Sequence, residues 1–436
     1  MKCPTDRPDQ ADGALVIAEH FRGLAVVRSL GRRGVPVWTL EPGFDCMGSV
    51  SRYSVNSLRW PAAGEQEQLD FLFGLAARYR LDGWTLFVTS DEPTMLVAQH
   101  HAALSTHFRL TVPPWDRLRW AYDKRLTYQL AADVGVPHPR TFYPKNGNEV
   151  SKLDLEFPVI LKPAFKRRSN RFTRDKAWRV DDRQMLAARY AEAAELVGSD
   201  AVMVQELISG GGEAQFSYAA LCSDGRTLAS VTARRTRQYP VEFGHSSSYV
   251  ETVDQPDIEE PARRLLAAMR YTGLAEVEFK YDQKDGSYKL LDVNPRAWTW
   301  QELCAAAGVD FPYLLWRSIH GEQVPELRGR PGVRWVRLST DVAAASSEIW
   351  RGRLSLRSYL RSLKGPLEFA AFAADDPTPA LLRAPARAYS VCKELLHTVF
   401  LSGHTWTAAS KRNQRNGVIP DLKDDPHPIL QKPEAL

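Results

Sequence analysis

Residues 273–300 read GLAEVEFKYDQKDGSYKLLDVNPRAWTW. Two runs of strand-forming residues flank an Asp285-Gly286 pair, the pattern of a β-hairpin. Residues 275–281 alternate, with Glu276, Glu278 and Lys280 on one side and Val277, Phe279 and Tyr281 on the other. In the second run Leu291 and Val293 face one way, Asp292 and Asn294 the other. A two-residue Asp-Gly turn sets Glu278 opposite Val293, mixing a charge with a core residue. A three-residue loop, 284–286, sets Glu278 opposite Asp292, with Gly286 in the left-handed position such loops need. The second register keeps both faces chemically uniform and is the expected one.

That register puts Glu278, Asp292 and Asn294 on one face, followed at once by Arg296. Two carboxylates and an amide oxygen are hard ligands suited to magnesium. Bare carboxylates about 4 Å apart repel by about 4 kcal/mol at an effective dielectric of about 20. A divalent cation between them reverses the sign. A solvated polar face on an edge hairpin also fits the alternation. Asn294-Pro295-Arg296 favours the metal reading, because proline stiffens the exit and directs Arg296. Arginine suits phosphate or carboxylate. The grouping points to an enzyme that handles ATP through metal ions.

Working outward, 436 residues allow two or three domains. Hydrophobic content of 44% and charged content of 25% are those of a globular protein. A net charge of +5 does not by itself imply nucleic acid, and none is expected as a partner. Five scattered cysteines without a CxxC pair suit a reducing cytoplasm better than disulfides or zinc. The polar N-terminus lacks a signal-peptide core, and no apolar run is long enough for a transmembrane span.

Residues 14–18 (ALVIA) predict a buried parallel strand, 23–33 a helix and 35–40 the next strand. Residues 71–80, 84–89 and 93–101 predict helix, strand and helix. There is no GxGxxG, which argues against a dinucleotide cofactor. Residues 89–92 (TSDE) end a strand where an open α/β sheet carries ligands. Ser90, Asp91 and Glu92 equally suit capping of the next helix. Pro113-Pro114 marks a boundary, and Asp123-Lys124 opens a helix ending near residues 135–137. Residues 157–163 (FPVILKP) are an apolar strand whose one lysine, Lys162, is costly unless paired, hence a candidate phosphate contact or an edge-strand lysine. Residues 202–208 (VMVQELI) form a strand that runs into 210–213 (GGGE), a hinge. Strands are expected over 214–221 and 227–233, turned at Asp224-Gly225. A further strand is expected over 332–341.

EVEFKYD, the turn and YKLLDVNPR, with DKRLTYQLAADVGVPHPRT from residue 123, resemble the ATP-grasp superfamily. The similarity runs from about residue 14 to about 325 and is to its carboxylate–amine ligase group, which includes D-aspartate ligase. It implies α/β and α+β architecture. An N-terminal open parallel-sheet domain (1–115) precedes a two-lobed ATP-grasp domain (116–325, smaller lobe about 140–205). A C-terminal extension (326–436) follows, with a polar tail. By this resemblance Glu278, Asp292 and Asn294 hold Mg2+ (or Mn2+). Arg296 steadies the transferred phosphoryl group or the acyl phosphate. Aspartate at 292 is one methylene shorter than the glutamate more common there. Lys124 and Lys162 reach the ATP phosphates. The segment with Gln205, Glu206 and Leu207 holds adenine, and Glu213 lies near the ribose or the adenine amine.

Three further segments carry chemistry. Residues 165–179 (FKRRSNRFTRDKAWR) are arginine-rich and lack glycine, where the family usually has a glycine-rich loop over the triphosphate. Lys166, Arg167, Arg168, Arg171, Arg174, Lys176 and Arg179 can clamp phosphates, receive an acidic substrate or partner, or form a solvated face. Residues 234–252 hold Arg235, Arg237, His245 and Ser247, the part expected to touch the acceptor or carboxylate. Arg235 and Arg237 share a face in a strand, which favours one anionic target. Trp298 and Trp300 wall a substrate pocket or belong to the core. Residues 389–401 carry an apolar stripe at helical spacing, fit for the core, a second copy in a homodimer, or a membrane surface, the last needing a stronger basic face than Lys393 and His397.

The expected activity is ligation of a small carboxylate, activated as an acyl phosphate by ATP, to an amine. The catalytic set is Arg296, Lys162 and Arg235. The alternatives are a carboxylase working through carboxyphosphate and a nucleotide sensor without turnover.

Overall fold

Residues 14–17 have no charge and no gap, so the strand they form must be covered on both faces. In the structure, a computed structural model that describes residues 12–43, 47–62, 64–165, 170–241 and 246–382, they form β1 (Ala14–Ile17), fully buried. It is the central strand of a parallel sheet with β2 (Val37–Glu41), β3 (Ser54–Arg59), β4 (Thr85–Val88) and β5 (Arg109–Leu110), in the order β3-β2-β1-β4-β5. The order reverses between β1 and β4, so their carboxyl ends open a crevice. β3 was not expected from sequence. Its burial alternates along SVNSLR, as on a half-covered sheet edge.

A smaller antiparallel sheet follows, in the order β6-β9-β7-β8: β6 (Thr141–Phe142), β7 (Val159–Pro163), β8 (Trp178–Val180) and β9 (Val202–Glu206). The helix Arg183–Val197 packs on it through Leu186, Tyr190 and Ala193, closing a core with Val159, Leu161, Val202 and Val204. Burying each of these valine and leucine side chains contributes about 1.5–3 kcal/mol.

The large sheet runs β14-β13-β10-β11-β12-β16-β17: β10 (Gln215–Ser223), β11 (Arg226–Tyr239), β12 (Ser246–Thr252), β13 (Gly273–Asp282), β14 (Ser287–Asn294), β16 (Arg334–Val336) and β17 (Leu367–Phe369), with β15 (Leu327–Arg328) paired to β11. The expected turn at Asp224-Gly225 has positive φ at both residues, 47° and 84°, and joins β10 to β11. Residues from 326 onward, expected to form an extension, give this sheet β15, β16 and β17. The strand expected over 332–341 is confined to β16, and Leu338–Trp350 is a helix.

The hairpin of β13 and β14 pairs Glu278 with Asp292 as expected, but by a different route. Asp282 pairs with Ser287, leaving four residues in the loop rather than three. A bulge between Glu278 and Phe279 then shifts the register by one. It places Phe279 opposite Leu290, both fully buried, while restoring the polar pair. Gly286 has φ 71°, the left-handed value required of it.

His245, Lys166, Arg167, Arg168 and the stripe at 389–401 lie outside the described residues. Among the described residues no helix is long and apolar enough to cross a membrane.

Candidate functional site

The strand period of two carries Glu276, Glu278 and Lys280 onto one face of β13. Glu276 pairs with Asn294 and Glu278 with Asp292 across the hairpin. Asn294 Nδ2 donates to Glu276 Oε2 at 3.1 Å and to Glu278 Oε1 at 3.0 Å. Arg235, on β11, donates from Nη2 to Glu278 Oε1 at 3.2 Å. Lys124, at the start of the helix Lys124–Asp133 capped by Asp123, pairs with Asp292 Oδ1. Burial opposes the charge on Asp292. Lys124 and Lys162 outweigh it, and the carboxyl is held below its usual range.

Lys162 on β7 stands over this face from the small lobe, with Nζ 3.4 Å from Gln205 Oε1. Burial pushes its ammonium pKa down, and Asp292 and Glu278 pull it back. Arg296 leaves the hairpin toward the N-terminal sheet. Its Nε donates to Asp91 Oδ1, beyond β4, and its Nη2 to Asn294 Oδ1 at 3.2 Å.

Two cavities meet at this wall. One is lined by Lys124, Lys162, the Gln205–Ile208 backbone segment and apolar Ile160, Phe165 and Leu291. A slot with apolar walls and two lysines at one end suits a nucleotide. The other, larger, opens onto the carboxyl ends of β1 and β4, through Glu19, Arg22 and Glu92, and onto Trp298 and Trp300. Asp91, Lys176, Arg235, Glu278, Asn294 and Arg296 line both.

Of the residues singled out from sequence, Lys124, Lys162, Gln205, Glu206, Leu207, Glu278, Asp292, Asn294, Arg235 and Arg296 line the first cavity. The carboxylate of Glu206 is turned aside, accepting from Lys289 Nζ and the Arg140 amide, each at 3.0 Å. Ser247 and Trp298 line the second cavity, and Trp298 is also buried to 1% exposure, so its core and wall readings both hold.

Two others are placed elsewhere. Glu213 accepts from the Gly211 amide at 2.9 Å and lines neither cavity. Arg237 donates from Nε and Nη2 to Asp341, 2.8 Å each, and lies over the Tyr249 ring. It does not share an anionic target with Arg235, because the pairing of β11 with β12 slips between the two. Within the arginine-rich segment, Arg171 pairs with Glu192 and Arg179 with Asp181. Arg174 lines the second cavity.

Glu276 is the residue that sequence reading passed over. It accepts from Ser217 Oγ at 2.9 Å, Trp300 Nε1 at 3.0 Å and Asn294 Nδ2. Burial, then repulsion from Glu278, pushes its pKa up to about 7. Its place on the same period-two face was the available signal. Lys280 was equally visible; its Nζ donates to Ile208 O at 2.9 Å and ties the hinge to the large sheet.

The donor set fits a hard divalent cation. Glu278 and Asp292 offer carboxylate oxygens, neutralised by arginine and lysine groups that a cation can replace, and Asn294 would add its Oδ1, which here accepts from Arg296 Nη2. Among the described residues no cluster of three or more His, Cys, Asp or Glu is spaced to hold a metal.

Residues 199–339 match the family described as "ATP-grasp in the biosynthetic pathway with Ter operon". D-aspartate ligase of Enterococcus faecium is 25% identical over 225 residues, 49% of this chain and 53% of that protein. The chain spans about half the length of the curated relatives it matches. Among solved structures, biotin carboxylase from Campylobacter jejuni superposes with a TM-score of 0.59 at 16% identity, over 72% of each chain. L-amino acid ligase from Bacillus licheniformis gives 0.56 at 16% identity, over 75% of this chain and 79% of its own. The likeness to these structures is one of fold. Residues 199–339 thus match an ATP-grasp family, and the chain shares its fold with these solved structures.

Proposed function

We propose that the protein is an ATP-dependent ligase that activates a carboxylate as an acyl phosphate and couples it to an amine. The observation that carries this reading is the shared wall. Glu278, Asn294, Arg235 and Arg296 separate a nucleotide-sized slot from a second, polar cavity. A group leaving the first cavity must cross these residues to reach a substrate in the second. That arrangement serves phosphoryl transfer, which needs positioning and charge rather than a nucleophilic side chain.

Lys124 and Lys162 neutralise the nucleotide phosphates. Gln205, Glu206 and Leu207 present backbone groups to the adenine. Glu278, Asp292 and Asn294 would hold Mg2+, or Mn2+, which would supply positive charge to offset that of the phosphates. Arg296, its guanidinium fixed by Asp91 and Asn294, steadies the acyl phosphate. Arg235, which donates to Glu278 at 3.2 Å, would meet the substrate carboxylate. The second cavity offers both Arg22 and Glu92, so a substrate bearing both charges, such as an amino acid, fits it. Similarity to D-aspartate ligase supports the same class. A reaction that consumes ATP belongs in the cytoplasm.

The test is phosphate release from ATP and Mg2+ with pooled amino acids as carboxylates and pooled amines as acceptors. Release that needs both pools, with a new amide mass, establishes the ligase. Release that needs bicarbonate instead makes it a carboxylase. ATP binding with no release under either condition makes it a nucleotide sensor.

A further inference from the structure

The turn after the helix Arg171–Asp175 has an unusual backbone. Lys176 has φ 62° and ψ −33°, and the Ala177 amide donates to Asp175 O at 2.7 Å. This is a three-residue turn closed over a residue with positive φ, a strained form for any side chain bearing a Cβ. The flanks hold it in place. Asn170 and Thr173 cap the helix reciprocally, at 3.0 and 2.9 Å. Phe172 is fully buried against Trp178, ring centroids 4.7 Å apart, and Trp178 Nε1 donates to Asp175 Oδ2 at 2.9 Å. Glycine would occupy the turn without strain, yet the chain carries lysine there and no glycine anywhere in 165–179. Held between two anchors, the turn fixes where the Lys176 side chain leaves the backbone.

The turn aims it at the wall. Of the six residues lining both cavities, Lys176 is the one from the small lobe; the others come from the large sheet, the exit of its hairpin and the crevice of the N-terminal sheet. It therefore stands across the junction from Arg296 and the acidic hairpin.

We propose that Lys176 is a catalytic lysine that holds the phosphoryl group as it passes from ATP to the carboxylate. This rests on the ATP-dependent reading above. In that step a carboxylate oxygen bonds to the γ-phosphorus, and the bond from phosphorus to the β,γ-bridging oxygen breaks. ADP leaves with that electron pair, and the summed charge of the reactants is unchanged. The amine nitrogen then bonds to the acyl carbon, phosphate leaves with the C–O electron pair, and the ammonium formed gives up one proton. During the first step charge spreads over the three oxygens of the moving group. Lys124 and Lys162 serve the nucleotide side and Arg296 the acyl side. Lys176 faces the group in transit from the opposite lobe, where a glycine-rich loop would have used backbone amides.

The test compares binding of Mg·ADP with that of the Mg complex of a non-hydrolysable imido analogue of ATP, by calorimetry. Lys176→Met keeps the length and removes the charge. It is expected to weaken the analogue about tenfold and ADP less than about twofold, with Lys176→Arg restoring most of the loss. Lys176→Gly is expected to lose the same preference while unfolding at no lower temperature than wild type, which separates charge from folding. Equal loss for both nucleotides, or no loss for the analogue, overturns the assignment. Failure of the wild-type protein to bind either nucleotide overturns the ATP reading itself, and this inference with it.

Discussion

Arg296 and Asp91 are 205 residues apart in the chain and hydrogen-bonded in the fold. Asp91 stands beyond the carboxyl end of β4, and Arg296 follows the acidic hairpin directly. The pair joins the crevice of the N-terminal sheet to the acidic face of the large sheet. It also fixes the guanidinium plane, since Nε is held by Asp91 and Nη2 by Asn294.

Asp91→Ala should therefore act through Arg296. A displacement of about 1 Å in a positioned charge costs about 100-fold in rate. The expected result is a fall of about that size in the kcat of phosphate release, with the KM for ATP nearly unchanged. A change confined to KM would remove Asp91 from the positioning role.

Glu278→Gln removes a charge and keeps the shape. Magnesium-dependent turnover should fall at least about 1000-fold. The unfolding free energy should stay within about 1 kcal/mol of wild type, because Arg235 retains Gln215 Oε1 at 2.7 Å as a partner. Phosphate assays and denaturant unfolding read the two quantities. Full turnover in this variant would take Glu278 out of the metal set.

Arg237→Ala should affect stability rather than chemistry. Asp341 is fully buried and would lose its bidentate partner, keeping Ser248 Oγ at 3.0 Å. Breaking a buried pair from one side costs about 3–5 kcal/mol. Denaturant midpoints should drop accordingly, while KM values at permissive temperature stay near wild type. A raised KM for the carboxylate with unchanged stability would return Arg237 to the substrate site.

Glu302 predicts a pH dependence. It receives Arg28 Nη1 at 3.2 Å, but Arg28 also serves the fully buried Asp376 at 3.0 Å. Burial pushes the Glu302 pKa up to about 7, against the pull of Arg28 and Arg32. A carboxyl whose folded pKa lies above its unfolded value holds more protons in the native state. Its stabilising effect is complete below the unfolded value, about 4.3, and is lost as pH rises to about 7. A shift of this size is worth on the order of 3 kcal/mol. Glu302→Gln should remove that slope, so the stability difference between variant and wild type grows in the variant's favour from pH 5 to pH 7.5. A difference that is flat with pH would show Glu302 ionised throughout.

The sequence by itself determined what is local. Alternation placed Glu278, Asp292 and Asn294 on one face, because side chains in a strand repeat every two residues. It predicted β1, the Asp224-Gly225 turn, the helix opening at Lys124 and the strand bearing Lys162, since each rests on a pattern within ten or so residues. Pairs made across the chain were decided only by the tertiary structure. The bulge that restores the Glu278–Asp292 pairing follows from how Phe279 and Leu290 fill the core, not from the loop residues. Arg237 reads like Arg235 in sequence, yet a slip in strand pairing and a buried Asp341 more than 100 residues away take it out of the site. Asp91 joins Arg296, and Lys176 joins the wall, because residues from three sheets meet at one place in the fold. Backbone periodicity is written in neighbouring residues. The partner a charge finds is set by which layers pack together, and that is a property of the whole chain.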